Sequence, residues 1–240
     1  MVTALAINGS PRMDHGSTAL LLNAFLKGMQ EGGAQVDLLY SSRLKIKPCS
    51  CGTLYCWFTE PGECCIEDDM TPLYPKLSEA DILILATPVY IPLPGSMQNV
   101  INRLCPLIEP DLVRRNGRTR ARFRDTVAIQ KLVLVSTCGW WEAGNFDRVV
   151  SIIQELAEDA SIEFSGALLR PHAGSLFKED ALTPSGFAVL DAARRAGFEL
   201  VEAGAICPET LLEVREPLIS EEEFWQSRNI EMARRNAKNE

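Results

Sequence analysis

Three short runs, over residues 3–8, 81–86 and 131–136, are almost free of charge and apolar on both faces. A strand that alternates polar and apolar residues can leave one side to water, but a strand apolar throughout must be covered on both. Segments of helical period separate these runs. In the first, Leu21, Phe25, Gly28, Met29 and Gly32 fall on one face, and Gly32-Gly33 ends it. Val36, Leu38 and Tyr40 alternate as a second strand, and residues 162–169 read as a fifth. Strands interleaved with helices predict a parallel sheet with helices on both faces.

The remaining helices are expected from the Asp68-Asp69-Met70-Thr71-Pro72 start, from Pro94-Gly95 to about Ile108 with a stop at Glu109-Pro110, over 145–159, and over 186–203. Five such strands predict an α/β, flavodoxin-like, doubly wound five-stranded parallel sheet, with ligands beyond the strand C-termini at the switch point. With 240 residues, 46% of them hydrophobic, the chain can bury one sizeable core. The expected organisation is one domain over 1–207, containing a long cysteine-bearing loop over 41–68 and an insertion over 112–130. An acidic extension over 208–240 follows. The insertion carries six arginines between Arg114 and Arg124.

A net charge of −8 speaks against a general nucleic-acid partner. The N-terminus reads as a strand and not as a secretion signal, and no apolar stretch approaches the ~18 residues of a membrane span. A soluble, cytoplasmic protein is the expectation. Five of the eight cysteines, Cys49, Cys51, Cys56, Cys64 and Cys65, crowd one segment. In a reducing compartment such crowding favours metal or redox chemistry over a disulfide framework.

Three loops should meet at the carboxyl edge of the sheet: 9–18, 87–95 and 136–145. The first runs Gly9-Ser10-Pro11-Arg12 to Gly16-Ser17-Thr18. A strand that passes through a hydroxyl-rich loop into a helix start offers unpaired amides to an anion, so a phosphorylated cofactor is expected there. Ser10, Ser17 and Thr18 supply hydroxyls, and Arg12 a fork suited to phosphate. An ordinary turn with Ser and Thr as helix caps is the plainer alternative. No Walker A lysine follows Gly16 and no G-x-G-x-x-G is present, which excludes those two phosphate motifs. The second loop, Ala86-Thr87-Pro88-Val89-Tyr90, places a stiff turn beside an aromatic ring, which suits a flat heterocycle. The third, Ser136-Thr137-Cys138-Gly139-Trp140-Trp141-Glu142, brings two tryptophans to a strand end, for stacking or for packing.

These motifs together, with Pro48-Cys49, Cys65-Ile66-Glu67-Asp68-Asp69-Met70 and Arg103, resemble the NADPH-dependent FMN reductase family, in particular its iron-sulfur flavoprotein branch. The resemblance covers about residues 3–175. It implies a flavodoxin-like fold, FMN, NAD(P)H as co-substrate, and homodimers or homotetramers whose interface borders the flavin. Carried onto this sequence, it assigns Ser10, Arg12, Ser17 and Thr18 to the FMN phosphate. Pro88, Val89 and Tyr90 would border the isoalloxazine, and Thr137, Cys138, Gly139 and Trp140 would close its other side. The chain departs from many relatives in its three residues between Arg12 and Gly16 and in Ser17, where asparagine is usual.

The cysteine spacing is C-x-C-x4-C-x7-C-C, unlike the compact C-x2-C-x2-C of the iron-sulfur branch. Four converging thiolates would hold a [4Fe-4S] cluster or a zinc ion, and a loop of free thiols is the third reading. Cys49, Cys51, Cys56 and Cys65 are the candidate ligands, with Cys64 as a substitute. His15 reads as a solvated loop residue and His172 as a packing residue. The arginine run could grip NAD(P)H phosphates, form a solvated hairpin, or clasp a neighbouring subunit. The leading functional expectation is an oxidoreductase passing electrons from NAD(P)H through FMN to a quinone, free flavin or another small acceptor. An electron carrier exchanging with a ferredoxin-like partner is the second, and a non-enzymatic flavin-binding regulator the third.

Overall fold

A computed structural model describes residues 1–179 and 181–236. The last four residues of the acidic extension lie outside the described residues. Five parallel strands form the central sheet: β1 (Thr3–Asn8), β2 (Gln35–Tyr40), β3 (Ile82–Pro88), β6 (Lys131–Thr137) and β7 (Glu163–Arg170). Their order is β2-β1-β3-β6-β7, which is the flavodoxin-like order with its switch between β1 and β3.

Alternation along the strands sorts two unequal faces. Leu5, Ile7, Leu83, Leu85, Leu132 and Leu134 pack with helices α3 (Leu73–Glu79), α4 (Gly95–Asn102) and α5 (Asp147–Ala160). Ala4, Ala6, Ile84, Ala86 and Val133 pack with α1 (Ser17–Glu31) and α6 (Pro184–Glu202). The small side chains of the second face let α1 and α6 lie close to the sheet and to each other. At their crossing, a Cβ added to Gly28 would sit 1.7 Å from the Arg194 carbonyl oxygen, and one added to Gly197 2.0 Å from that of Phe25.

Two sequence expectations are corrected here. The helix after Pro94-Gly95 ends at Asn102, not near Ile108, and a single 3-10 turn over Cys105–Leu107 follows it. Pro106 explains the break, because proline disfavours helical backbone at the residue before it and cannot continue the hydrogen-bond ladder. The insertion begins earlier than residue 112. It is an antiparallel hairpin of β4 (Ile108–Arg115) and β5 (Arg118–Phe123), turned by Asn116 and Gly117, both at positive φ.

Its arginines fasten it to its own chain. Arg120 bonds Glu155 at 2.8 Å and Glu158 at 2.7 Å, Arg118 pairs with Glu155, and Arg122 pairs with Asp125. Arg124 reaches Glu109 and the Pro106 carbonyl, and Arg115 reaches the Ala121 and Glu158 carbonyls. Among the described residues, only Arg114 of the six makes no side-chain hydrogen bond or ion pair. The extension forms α7 (Pro208–Arg215), packed on α6 and β7, and α8 (Glu221–Asn236). No helix among the described residues is long and apolar enough to cross a membrane.

Candidate flavin site and cysteine chamber

The three chemistry-bearing loops do meet at the carboxyl edge of the sheet. The Gly9 amide donates to the Ala86 carbonyl at 2.7 Å, joining the first loop to the second strand end. The Val89 amide donates to the Thr137 carbonyl at 2.9 Å, and the Thr18 and Thr137 hydroxyls bond each other at 2.7 Å. Each of the three loops is thus tied to another by a short bond.

Helix α1 starts at Ser17 after Gly16, whose side has no capping group. Its first internal bond runs from the Leu20 amide to the Gly16 carbonyl at 3.1 Å. The amides of Ser17, Thr18 and Ala19 therefore precede the ladder and point out of the helix start. Ser and Thr do not act as caps here, which leaves these donors to an anion. Ser10 is buried and its Oγ accepts from the Arg12 amide at 3.3 Å. A Cβ at Gly16 would press on Ser10 Oγ and on Arg12 Cβ, both at 3.2 Å, so the bare glycine keeps the loop open. Arg12 itself is exposed and its guanidinium donates to the His15 carbonyl at 3.3 Å. Behind the loop, the fully buried Asn8 accepts from the Ser10 amide, while its Nδ2 has no partner.

In the second loop Val89, Tyr90, Ile91 and Pro92 line a recess of about 400 Å³ against Arg148, Val149 and Ile152 of α5. Tyr90 and Ile91 are exposed. In the third, Cys138 is buried and burial raises its thiol pKa, Gly139 is open, and Trp140 is exposed. Trp141 is a packing residue. Its Nε1 donates to the Ile219 carbonyl at 3.1 Å, and its ring stacks on His172.

The cysteine loop folds back on itself around a four-residue helix, α2 (Tyr55–Phe58). Cys49, Cys51, Cys56, Cys64 and Cys65 all line one chamber, and Cys105 of the 3-10 turn completes it. The sixth thiol was not legible in the crowded segment, because it arrives from far along the chain. The enclosed space is only about 10 Å³, and among the described residues no three ligand groups stand at metal-binding geometry. Cys64 is partly buried and Cys65 is exposed. The Cys64 thiol also interacts with the Tyr74 hydroxyl and with Arg103, which makes Cys64 the inward member of the pair. Burial raises Cys56 and pushes Cys105, beside it, up to about 12.

Arg103 forms the chamber floor. It is 1% exposed, pairs with Asp68 at 2.7 Å, and donates to the Lys47 and Ile66 carbonyls at 3.0 Å each. Its Nε is buried without a partner. Burial alone would pull the guanidinium pKa down, but the Asp68 hydrogen bond prevails and raises it.

Residues 2–145 match the profile of NADPH-dependent FMN reductase. The chain belongs to that family. It is 37% identical over 105 residues to an iron-sulfur flavoprotein of Archaeoglobus fulgidus, covering 43% of this chain and 46% of that one. An iron-sulfur flavoprotein of Methanosarcina thermophila is 34% identical over 86 residues, 35% of this chain and 42% of that one. The chain thus spans about half the length of the curated relatives it matches. In fold it is similar to the NAD(P)H:quinone oxidoreductase from Methanothermobacter marburgensis, with a TM-score of 0.60 and 16% identity, covering 83% of this chain and 98% of that one. It is also similar to an FMN-dependent NADH-azoreductase from Bacillus anthracis in complex with FMN, with a TM-score of 0.54, 12% identity, and 85% and 97% coverage.

The donor chemistry of both places suits the implied groups, although the described thiols do not stand at metal-binding distances. The uncapped helix start and the orphaned Asn8 amide suit a mononucleotide phosphate. Six thiols with no carboxylate among them suit a soft metal centre, and the unpaired Arg103 Nε–H is a donor for a thiolate or sulfide.

Proposed function

We propose that this protein is an FMN-dependent oxidoreductase that takes reducing equivalents from NAD(P)H and delivers them to a small acceptor such as a quinone or free flavin. The observation that carries the reading is the uncapped start of α1 beside the Ser10–Arg12 turn. FMN, when bound, supplies the hydride and electron chemistry. The amides of Ser17, Thr18 and Ala19, with the Arg12 guanidinium, neutralise its phosphate, and Ser10 and Thr18 hold the loop to shape. Pro88, Val89 and Tyr90 orient one side of the ring, and the segment Thr137–Trp140 encloses the other. Main-chain amides of these two loops stabilise negative charge on the reduced ring. No side chain is given a proton-transfer role. Exposed Tyr90, Ile91 and Trp140 at one edge suit a homodimer or homotetramer interface beside the ring.

Protein as purified is expected to release FMN, and NAD(P)H is expected to bleach its flavin bands. Arg12→Ala should raise the FMN Kd about tenfold, equivalent to about 1.4 kcal/mol. Protein that binds no FMN, or an Arg12→Ala variant of unchanged affinity, overturns this reading. Tight FMN binding with no reduction of any acceptor would mark a regulator instead.

The six-thiol chamber favours a second reading, an electron carrier in which a [4Fe-4S] cluster works with FMN and a ferredoxin-like partner. Cys49, Cys51, Cys56 and Cys64 would hold the cluster, with Cys64 in place of the Cys65 of the spacing argument because Cys64 is the inward member of that adjacent pair. Cys105 would stand beside the Cys56 ligand in the chamber wall. Iron analysis of anaerobically prepared protein should find Cys64→Ala depleted and Cys65→Ala close to the parent. Equal iron in both variants refutes the ligand set, and no iron in the parent refutes the cluster.

A further inference from the structure

The strand end after β7 and helix α8 enclose a groove of about 510 Å³ that the family match, ending at residue 145, touches only at Gly139. That volume lies within the range of small-ligand sites. Its inner wall is His172, which is 1% exposed and takes a left-handed backbone, φ 36° and ψ 48°. Non-glycine residues in that region are held there by their surroundings, often at functional sites.

The hydrogen bonds of His172 fix its proton. Nε2 accepts from the Leu218 amide at 3.0 Å and faces the Arg170 guanidinium at 3.1 Å, and both partners are donors. The neutral ring therefore carries its proton on Nδ1, and Nδ1 is buried with no hydrogen-bond partner. Burial, helped by the Arg170 charge, pushes the imidazole down to about 4, so it is neutral at physiological pH.

The rest of the lining is mixed. Exposed Phe177 offers flat apolar surface, the buried Phe224 backs the wall, and Ser175 adds a hydroxyl with no side-chain bond among the described residues. A Cβ at Gly139 or Gly174 would meet nothing within 4 Å, so space remains against the main chain. The charged lining residues are Lys178, Arg228 and Glu231, with Arg228 paired to Glu231 at 2.9 Å. Lys178 has no ion pair among the described residues. Rings, hydroxyls and a cation in a net-positive cleft of a net-negative chain suit a nucleotide better than a neutral quinone.

Gly139 belongs both to this groove and to the loop that borders the flavin seat. We propose that the groove binds the adenosine diphosphate half of NAD(P)H, placing the nicotinamide toward that loop. This rests on the redox reading above and deepens it by locating the donor.

The test uses flavin-loaded protein and ADP-ribose, which carries the adenosine diphosphate but no nicotinamide. Calorimetry should show ADP-ribose binding to the parent, weakened at least tenfold in Lys178→Glu and in the groove-filling Ser175→Tyr. Lys27→Glu, an exposed change on α1, should match the parent. In turnover, Lys178→Glu should raise the KM for NAD(P)H about tenfold, with the effect in KM and not in kcat. ADP-ribose that fails to bind, or binds Lys178→Glu as it binds the parent, overturns the assignment. So does Lys178-dependent ADP-ribose binding with an unchanged KM, which would mark a separate adenine-nucleotide site. A flavin that a fragment dihydronicotinamide reduces under the same conditions shows the redox reading standing apart from these failures.

Discussion

Gly28→Ala is expected to lower the stability of this protein by about 3 kcal/mol, although alanine is the better helix former. The propensity gain is about 1 kcal/mol in an α-helix interior. Against it stands a Cβ placed 1.7 Å from the Arg194 carbonyl oxygen and 3.0 Å from the Phe198 amide nitrogen. Both neighbours are backbone, so no side chain can swing away. Helices α1 and α6 must separate, and with them the alanine-lined face of the sheet loosens. Overpacking typically costs 1–3 kcal/mol, and a backbone clash belongs at or above the top of that range. Gly197→Ala should do the same, because its Cβ would lie 2.0 Å from the Phe25 carbonyl oxygen. The double variant should fall short of the sum, since the first substitution opens the crossing that the second occupies. Urea midpoints decide it, with Lys27→Ala as an exposed neighbour expected to change stability by less than about 0.5 kcal/mol. A midpoint unchanged or raised in Gly28→Ala would mean the helices are not in backbone contact.

Gly28 also marks what the sequence can convey. Its place on the inner face of α1, beside Leu21, Phe25 and Met29, follows from helical period. Its partner does not, because Arg194 and Gly197 come from a helix far along the chain. The strands were legible for a similar reason. Runs apolar on both sides, such as Ile82–Ala86, have one solution, a covered parallel strand. The first loop was legible in position, since a strand, a glycine and a hydroxyl-rich turn precede a helix. Its side-chain bonds were not, as the Thr18–Thr137 contact joins residues 119 apart. The hairpin was one of three readings of the arginine run, and the run alone could not choose among them. The signal lay in Asn116-Gly117, a pair suited to positive φ in a tight turn. Cys105 and the groove around His172 depend on chain segments brought together only by the fold.

Arg103→Leu is expected to cost about 3–5 kcal/mol, comparable to the whole stability of a marginal domain. The guanidinium and the Asp68 carboxylate are both nearly without solvent, and removing one leaves the other charged and buried. Arg103 also holds the Lys47 and Ile66 carbonyls, so its loss unclasps both ends of the cysteine loop at once. Asp68→Asn keeps the shape and removes the titrating charge, together with one of the two accepting oxygens. The pair sets a pH dependence whose sign is fixed. Burial would raise the Asp68 pKa, but hydrogen bonds from Arg103 and from the Lys47 and Met70 amides outweigh it and hold the carboxyl below its usual range. A carboxylate depressed in the folded state stabilises fully above its unfolded pKa of about 4, and that stability drains as pH falls through the folded value. The parent should therefore lose stability steeply below pH 4, and Asp68→Asn should start lower and fall less over the same interval. Urea titrations at pH 7 and across pH 4 to 2 would measure both slopes. Parallel slopes in parent and variant would show that Asp68 does not titrate with folding, and that Arg103 holds the chamber floor by its carbonyl bonds alone.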